Sequence, residues 1–318
     1  MNVSTALVTG ANGFIGRALT RELLNSGYKV KALTRRPCQF DVGVENIVIP
    51  DLMSAPHLAP VLKGVDVVIH LAARVHVMQE SDQDALSAYR AINVDATLSL
   101  AKAAAAAGVA RFIYLSSIKV NGEKTLHGAP FTAESIPMPE DPYGVSKLEA
   151  EKGLITLSQL TGMEVVIIRP PLIYGPHVKA NFASMMKWVS YGLPLPLGSI
   201  HNLRSMVSLP NLLSLIKTCI THSHASGNIF LVSDDRDVSV TRLLNILALA
   251  MKRKIWLMPV PPALIKILAS AFGKEAVAQR LCDNLQVDIS KTKKLLNWTP
   301  PMGLDEGLQL TVDWYLEK

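Results

Sequence analysis

The stretch Ala6-Leu7-Val8-Thr9-Gly10-Ala11-Asn12-Gly13-Phe14-Ile15-Gly16 decides how this chain is read. Its apolar start, Ala6-Leu7-Val8, reads as a strand that runs directly into three glycines spaced three apart. A helical pattern follows, with Ile15, Leu19 and Leu23 on one face and Gly27 placed to end it. Glycine suits such a turn because the turn is tight and a Cβ would keep the backbone away from a pyrophosphate. The helix start then offers unpaired N–H groups and the positive end of its dipole to that anion. The spacing alone fits any glycine-rich strand-to-helix turn. Its seat inside a strand–turn–helix unit points to dinucleotide binding.

Outward from that turn, strands and helices alternate. Strand candidates are residues 29–34, 47–49, 65–70, 111–116 and 165–169, nearly continuous in Val, Ile and Leu. A parallel sheet covered on both faces requires that composition. Between them lie helical stretches such as the alanine-rich 98–107, closed by Gly108 and slim enough to sit close to a sheet. Right-handed crossovers then give an α/β fold, a Rossmann-type doubly wound parallel sheet. The alternation weakens after Arg169, and loops rich in Pro and Gly (192–196 and 259–262) punctuate the rest. The expected division is a cofactor-binding domain over 1–170 and a smaller C-terminal, mainly substrate-binding domain over 171–318, with a late strand at 228–233 returning to the sheet.

At 318 residues the chain can bury a large core, and 49% hydrophobic against 18% charged content leaves little room for disorder. Cys38, Cys219 and Cys282 lie far apart with no C-x-x-C pair. That argues against a disulfide framework or a metal site and suits a reducing cytoplasm. The apolar start is too short for a signal peptide. The net charge of +6 is spread thinly, with clusters at Arg35-Arg36, Lys252-Arg253-Lys254 and 291–294. No aromatic platform accompanies them, so nucleic acid is not an expected partner. Solvated helix faces, and one or two basic residues meeting a small anionic ligand, account for them. Residues 255–272 suggest a membrane, but Pro259, Pro261, Pro262 and Lys266 interrupt any span. The expectation there is a turn followed by a buried or substrate-covering helix, with weak membrane-surface contact as the alternative.

Chemistry enters at Tyr143-Gly144-Val145-Ser146-Lys147. Tyr and Lys four apart on a helix share a face. A phenol with a pKa near 10 is a poor base at neutral pH, and a close ammonium lowers it. Such a pair can take a proton from a sugar hydroxyl or give one to a forming alkoxide. The same spacing also occurs on ordinary exposed helix faces. About two dozen residues earlier, however, the strand over 111–116 ends in Ser116-Ser117. A serine at the carboxyl end of a parallel strand sits where such sheets bind ligands.

Glycine turn, strand-end serine and Tyr-x-x-x-Lys, in that order, resemble the extended short-chain dehydrogenase/reductase superfamily in its nucleotide-sugar epimerase/reductase branch, over nearly the whole chain. By that resemblance Gly10, Gly13 and Gly16 form the cofactor turn and Leu71-Ala72-Ala73 runs under the cofactor. Asn93 matches the family's helix asparagine. Ser117, Tyr143 and Lys147 match the catalytic triad. Arg169 to Pro176 resembles an R-P-x-x-x-Y-G-P stretch beside the nicotinamide. Phe14, Ile15, Asp51, Leu52, Ser116, Pro170 and Ile173 join the implied cofactor set. Asn181, Arg204 and Arg280 stand where relatives grip a nucleoside diphosphate. His76 would line the sugar pocket or else be an ordinary loop histidine. No metal site is implied. A homodimer through the helices over 98–107 and 147–157 is implied.

Two departures narrow the activity. Dehydratases of this branch follow the strand-end hydroxyl residue with an Asp-Glu pair; here those positions are Ile118 and Lys119. Members using NAD usually end strand two with an Asp, where this chain has Thr34-Arg35-Arg36. Guanidinium groups favour a 2′-phosphate, so NADP is favoured over NAD. The expected reaction is reduction at C4 of a UDP-linked 4-keto sugar, such as a 6-deoxy-hexosamine precursor of surface polysaccharide. A UDP-sugar 4-epimerase holding NAD is the alternative, and a non-catalytic cofactor-binding regulator a distant third.

Overall fold

A computed structural model describes residues 4–53, 55–75 and 82–317. Nine strands occur among them: β1 Thr5–Thr9, β2 Lys29–Thr34, β3 Val44–Val48, β4 Val67–His70, β5 Arg111–Leu115, β6 Glu164–Arg169, β7 Leu172–Tyr174, β8 Met206–Ser208 and β9 Ile229–Leu231. Seven form one all-parallel sheet in the order β3-β2-β1-β4-β5-β6-β9, and β7 pairs with β8 in a separate parallel ribbon. The late strand β9 does reach the sheet, pairing with β6 from Ile167↔Ile229 to Arg169↔Leu231. Its position 228 and the tail 232–233 stay outside the ladder.

Side chains alternate across the sheet because successive Cβ atoms of a strand point to opposite faces. Ala6, Val8, Val30, Ile69 and Ile113 bury on one face, against helices Phe14–Asn25 and Leu209–Thr221. Leu7, Leu33, Val68, Phe112 and Ile167 bury on the other, against helices Ala96–Ala106 and Pro142–Thr161. A third cluster joins β7 and β8 to helices Ala180–Ser190, Val240–Ala250 and Leu304–Leu316. Leu296 and Trp298 leave that region and pack back on the first cluster.

Local signals explain the helix ends that position the site. Helix Phe14–Asn25 buries Gly16, Leu19, Thr20 and Leu23, a repeating three-and-four spacing, and stops before Gly27 at φ +84°. Helix Pro142–Thr161 starts with Asp141 accepting from the Gly144 N–H at 2.6 Å, has Pro142 in its first turn, and ends at Gly162 with φ +77°. Gly153 lets Leu98 approach: a Cβ there would lie 2.7 Å from a Leu98 methyl.

Of the expectations for residues 255–272, the buried helix fails. Residues 255–272 do form a proline-rich turn and then helix Pro262–Ala271, but none of that helix's residues is buried. Ile265 packs on the third cluster, while Leu264, Ile267 and Leu268 are exposed.

Candidate active site

The site lies where the connections of the sheet diverge. From β1 the chain crosses to β2 on one side; from β4 it crosses to β5 on the other. The carboxyl ends of β1 and β4, hydrogen-bonded neighbours, therefore open a crevice, the usual ligand position in doubly wound sheets. Gly10 leaves β1 at φ +64°, and a Cβ on it would sit 2.8 Å from the Ala72 nitrogen. A Cβ on Gly16 would lie 2.3 Å from the Gly10 carbonyl oxygen. Gly13 precedes the helix in extended conformation, donates to the Gly10 carbonyl at 2.9 Å, and leaves the first turn without a side-chain cap. This cradle, which a Cβ would fill, faces an uncapped helix N-terminus. It fits the pyrophosphate of a dinucleotide. Phe14 and Ile15 pack inward on the third and first clusters, so their side chains anchor the turn.

Beneath the crevice a buried histidine ties three elements together. The ring nitrogens of His70, at the end of β4, lie 2.7 Å from Thr9 Oγ1 and 2.9 Å from Thr97 Oγ1. Thr9 Oγ1 also accepts from the Ala72 N–H at 3.2 Å. Burial, then the nearby Lys147, push the His70 pKa down to about 3, so the ring is neutral. Sequence reading passed over His70; a histidine closing an otherwise apolar strand was the available signal.

Arg35 and Arg36 follow β2 and are exposed. The buried Thr34 hydroxyl donates to the Arg36 carbonyl at 2.8 Å and accepts from Asn46 Nδ2 at 2.9 Å, which fixes the turn. Asp51 is exposed and accepts from the Met53 N–H at 2.9 Å, while Leu52 packs on the second cluster. Leu71 and Ile173 pack on the first cluster, half-buried, with Ala73 at similar depth. The Pro170 carbonyl accepts from the Ile118 N–H at 3.0 Å.

Ser117, Tyr143 and Lys147 converge at the end of β5. Consecutive residues of that strand end meet successive turns of helix Pro142–Thr161. Lys147 Nζ donates to the Leu115 carbonyl at 2.8 Å, and the Ser116 hydroxyl donates to Glu151 Oε1 at 2.5 Å. The Ser117 side chain hydrogen-bonds the Tyr143 phenol. Glu151 is itself held by the buried Arg169, at 2.9 Å through Nε and 2.5 Å through an η nitrogen, and Arg169 also donates to Asn121 Oδ1 at 3.0 Å. This carboxylate, four residues past Lys147 on the same face, was also overlooked in the sequence. Lys119 pairs with Glu123 at 2.7 Å and with Asp141, so the residue in the Glu position of the dehydratase pair braces the helix cap instead.

The electrostatics differ from the expectation. Burial first, then Asp141 and Tyr89, hold the Tyr143 phenol well above its usual range; only the Ser117 hydrogen bond acts the other way. Burial lowers Lys147 to about 7, against an opposing pull from Glu151. Lys147 Nζ lies 5.9 Å from the Tyr143 ring centroid and only 4.4 Å from that of Tyr114. Here burial outweighs the ammonium effect expected of Lys147, and Tyr143 is held protonated.

Two residues of the implied cofactor set, Ser116 and Asn93, are tied to protein partners. The Ser116 hydroxyl is committed to Glu151. The Asn93 side chain is fully buried, accepting from the Arg74 N–H at 2.8 Å and donating to Ser146 Oγ at 2.9 Å. It braces the strand-end loop against helix Pro142–Thr161. Burial lowers the Arg204 pKa; nearby Asp283 opposes the shift and Arg280 adds a smaller lowering. Arg204 also donates to the Asp283 carbonyl at 3.1 Å. Asn181 is exposed in the first turn of helix Ala180–Ser190. His76 lies outside the described residues.

Comparison with known proteins agrees with this geometry. Residues 6–232 match the NAD dependent epimerase/dehydratase family. A Vibrio cholerae protein named UDP-glucose 4-epimerase is 48% identical over 313 residues, 98% of this chain and 95% of that protein. GDP-6-deoxy-D-mannose reductase of Pseudomonas aeruginosa is 31% identical, over 76% of this chain and 78% of its own. The solved structure of MoeE5 with UDP-glucuronic acid and NAD superposes with a TM-score of 0.79 at 26% identity, covering 99% of both chains. The chain belongs to the NAD-dependent epimerase/dehydratase family, as an NAD(P)-dependent enzyme of the short-chain dehydrogenase/reductase superfamily.

Proposed function

We propose that this enzyme transfers hydride at C4 of a UDP-sugar, and that its main reaction is NADPH-dependent reduction of a 4-keto, 6-deoxy sugar. A nicotinamide cofactor, when bound, supplies the hydride. The glycine cradle and the N-terminus of helix Phe14–Asn25 would hold its pyrophosphate, and Lys147 its nicotinamide ribose. Tyr143, held protonated by burial, is in the right state to give its proton to the oxygen that develops at C4. Ser117, which hydrogen-bonds Tyr143 in the free site, would turn its one hydroxyl proton to the same oxygen as charge grows there. Arg204 and Arg280 form a doubly cationic surface suited to a diphosphate. The sugar would sit over residues 171–318, and the helix pair Ala96–Ala106 and Pro142–Thr161 would join two subunits in the cytoplasm.

The observation that carries reduction over epimerisation is the pair Arg35 and Arg36, exposed at the end of β2 where a carboxylate would read an unphosphorylated ribose. Epimerisation is the second reading, favoured by the 48% identity to a protein named UDP-glucose 4-epimerase. The two readings differ in cofactor turnover. A reductase exchanges its cofactor every cycle; an epimerase returns the same hydride and keeps its NAD. Purified protein should therefore carry little cofactor and should oxidise NADPH when given a UDP-4-keto-6-deoxy-hexosamine. Stoichiometric bound NAD, together with interconversion of UDP-glucose and UDP-galactose without added cofactor, would establish the epimerase instead.

A further inference from the structure

We propose that Glu151, clamped by Arg169 and Ser116, is the positioning residue behind Tyr143 and Lys147. It ties the strand end that carries Ser117 to the helix that carries those two residues, and it supplies the counter-charge for the buried Lys147 ammonium. This rests on the reading of Tyr143 as proton carrier given above, and it holds for reduction and epimerisation alike. Three elements meet at the one carboxylate. Its Oε1 accepts from Ser116 Oγ at 2.5 Å, just past the end of β5, and from Arg169 Nε at 2.9 Å, where β6 ends. Its Oε2 accepts from an Arg169 η nitrogen at 2.5 Å, and Arg169 reaches on to Asn121 at 3.0 Å. One helical turn earlier, Lys147 Nζ donates to the Leu115 carbonyl at 2.8 Å. Leu115 and Ser116 are thus tied to successive turns of one helix, and Ser117 comes next in the chain. Lys147, Glu151 and Arg169 are each no more than 2% exposed. A buried ion pair is a poor source of stability, because desolvation of both charges offsets their attraction. This pair instead fixes the geometry and the charge beneath the reacting groups.

The other titratable groups around Lys147 are neutral or already paired. From β4 comes His70, a neutral ring. From β5 comes Tyr114, whose ring face lies 4.4 Å from Nζ and whose phenol burial keeps protonated. On the same helix stands Tyr143, also protonated, with Tyr89 of helix Asp82–Tyr89 packed edge-on against it at 6.0 Å between ring centroids. Arg169, from β6, is paired with Glu151. Glu151 is the charge that favours the ammonium, against the burial that brings Lys147 down to about 7. When Tyr143 gives its proton to the C4 oxygen it is left a phenolate, and a charged Lys147 stabilises that anion where a neutral amine does not. The carboxylate raises the pH at which Lys147 loses its proton. Removing its charge therefore makes Lys147 neutral at a lower pH, and the alkaline loss of rate begins earlier.

The test titrates Lys147 itself. The full chain, carrying ¹³Cε-labelled lysine, is followed by NMR across about pH 5 to pH 10. The Lys147 resonance is assigned by its loss in Lys147→Met. Glu151→Gln keeps the shape and one acceptor for Ser116 but removes the charge. It should move the Lys147 midpoint down by about one pH unit, and Glu151→Asp, which keeps the charge, should bring it back. Turnover with NADPH and the keto sugar should follow, with Glu151→Gln losing about tenfold on the alkaline limb and about twofold at pH 6. Ser116→Ala cuts the strand-end tie and leaves the charge, so kcat should fall by roughly tenfold with the midpoint unmoved. Glu151→Gln leaves Arg169 buried without its partner. If that variant does not fold, Glu151→Gln combined with Arg169→Gln carries the same prediction. An unmoved midpoint in the folded Gln variant, a midpoint that Asp does not restore, or full kcat in Ser116→Ala would overturn the proposal. If wild type turns over no keto sugar, the reductase reading fails, while the titration still decides the role of Glu151.

Discussion

Moving from pH 7 to pH 5 puts a proton on His70 in the unfolded chain but not in the folded one. In the fold the ring is enclosed between Thr9 and Thr97, and its pKa falls from 6.5 to about 3. Between those two values the unfolded chain binds one proton more, so stability falls as pH drops below 6.5. Each pH unit then costs about 1.4 kcal/mol, and the full cost is reached near the folded pKa. Over the interval from pH 7 to pH 5 the loss comes to about 2 kcal/mol from this one residue. His70→Gln removes the titration while keeping a donor and an acceptor between the two threonines. Urea unfolding at both pH values, for both proteins, isolates the effect, because every other titrating group cancels in the difference. Wild type should lose about 2 kcal/mol more than the variant. An identical loss in the two proteins would refute the assignment of a neutral, buried His70.

Three further outcomes follow from the site. Tyr143→Phe keeps the ring and removes the proton, so cofactor affinity, read by fluorescence titration, should persist while turnover falls by roughly 10²–10⁴; near-normal turnover would remove Tyr143 from the reaction. Replacing Arg35 and Arg36 by Ala should erase a preference for NADPH over NADH that amounts to at least about tenfold in wild type, with NADH binding little changed. Arg204→Ala should raise KM for the UDP-sugar with little change in cofactor affinity; a general drop in melting temperature without a KM effect would make Arg204 structural only.

The fold was legible where local chemistry and burial agree. Apolar runs marked the buried parallel strands, and Gly10, Gly13 and Gly16 marked a turn that the packing of Ala72 and the Gly10 carbonyl leaves to glycine. The short β7 and β8 were not legible, because three-residue strands carry too little periodicity to stand out. In helix Pro262–Ala271 the apolar spacing was plain, but spacing cannot say whether a stripe faces protein or bulk. Around the site, Ser117, Tyr143 and Lys147 were found through motif order, whereas His70 and Glu151 depend on partners distant in sequence. Glu151 reads as a routine helical carboxylate until Arg169, from the neighbouring strand, closes on it. The protonation states were the least accessible part. An i, i+4 pairing suggests that Lys147 acidifies Tyr143, yet burial moves both groups toward their neutral forms.

The most direct measurement follows the hydride. NADPH carrying deuterium at both C4 positions of the nicotinamide is incubated with the enzyme and a UDP-4-keto-6-deoxy-hexosamine, and the sugar product is examined by mass spectrometry and NMR. The account predicts one deuterium at C4 of each product molecule, with one NADP released per turnover. A product without deuterium, or a UDP-sugar inverted at C4 while the labelled cofactor remains unconsumed, would contradict it.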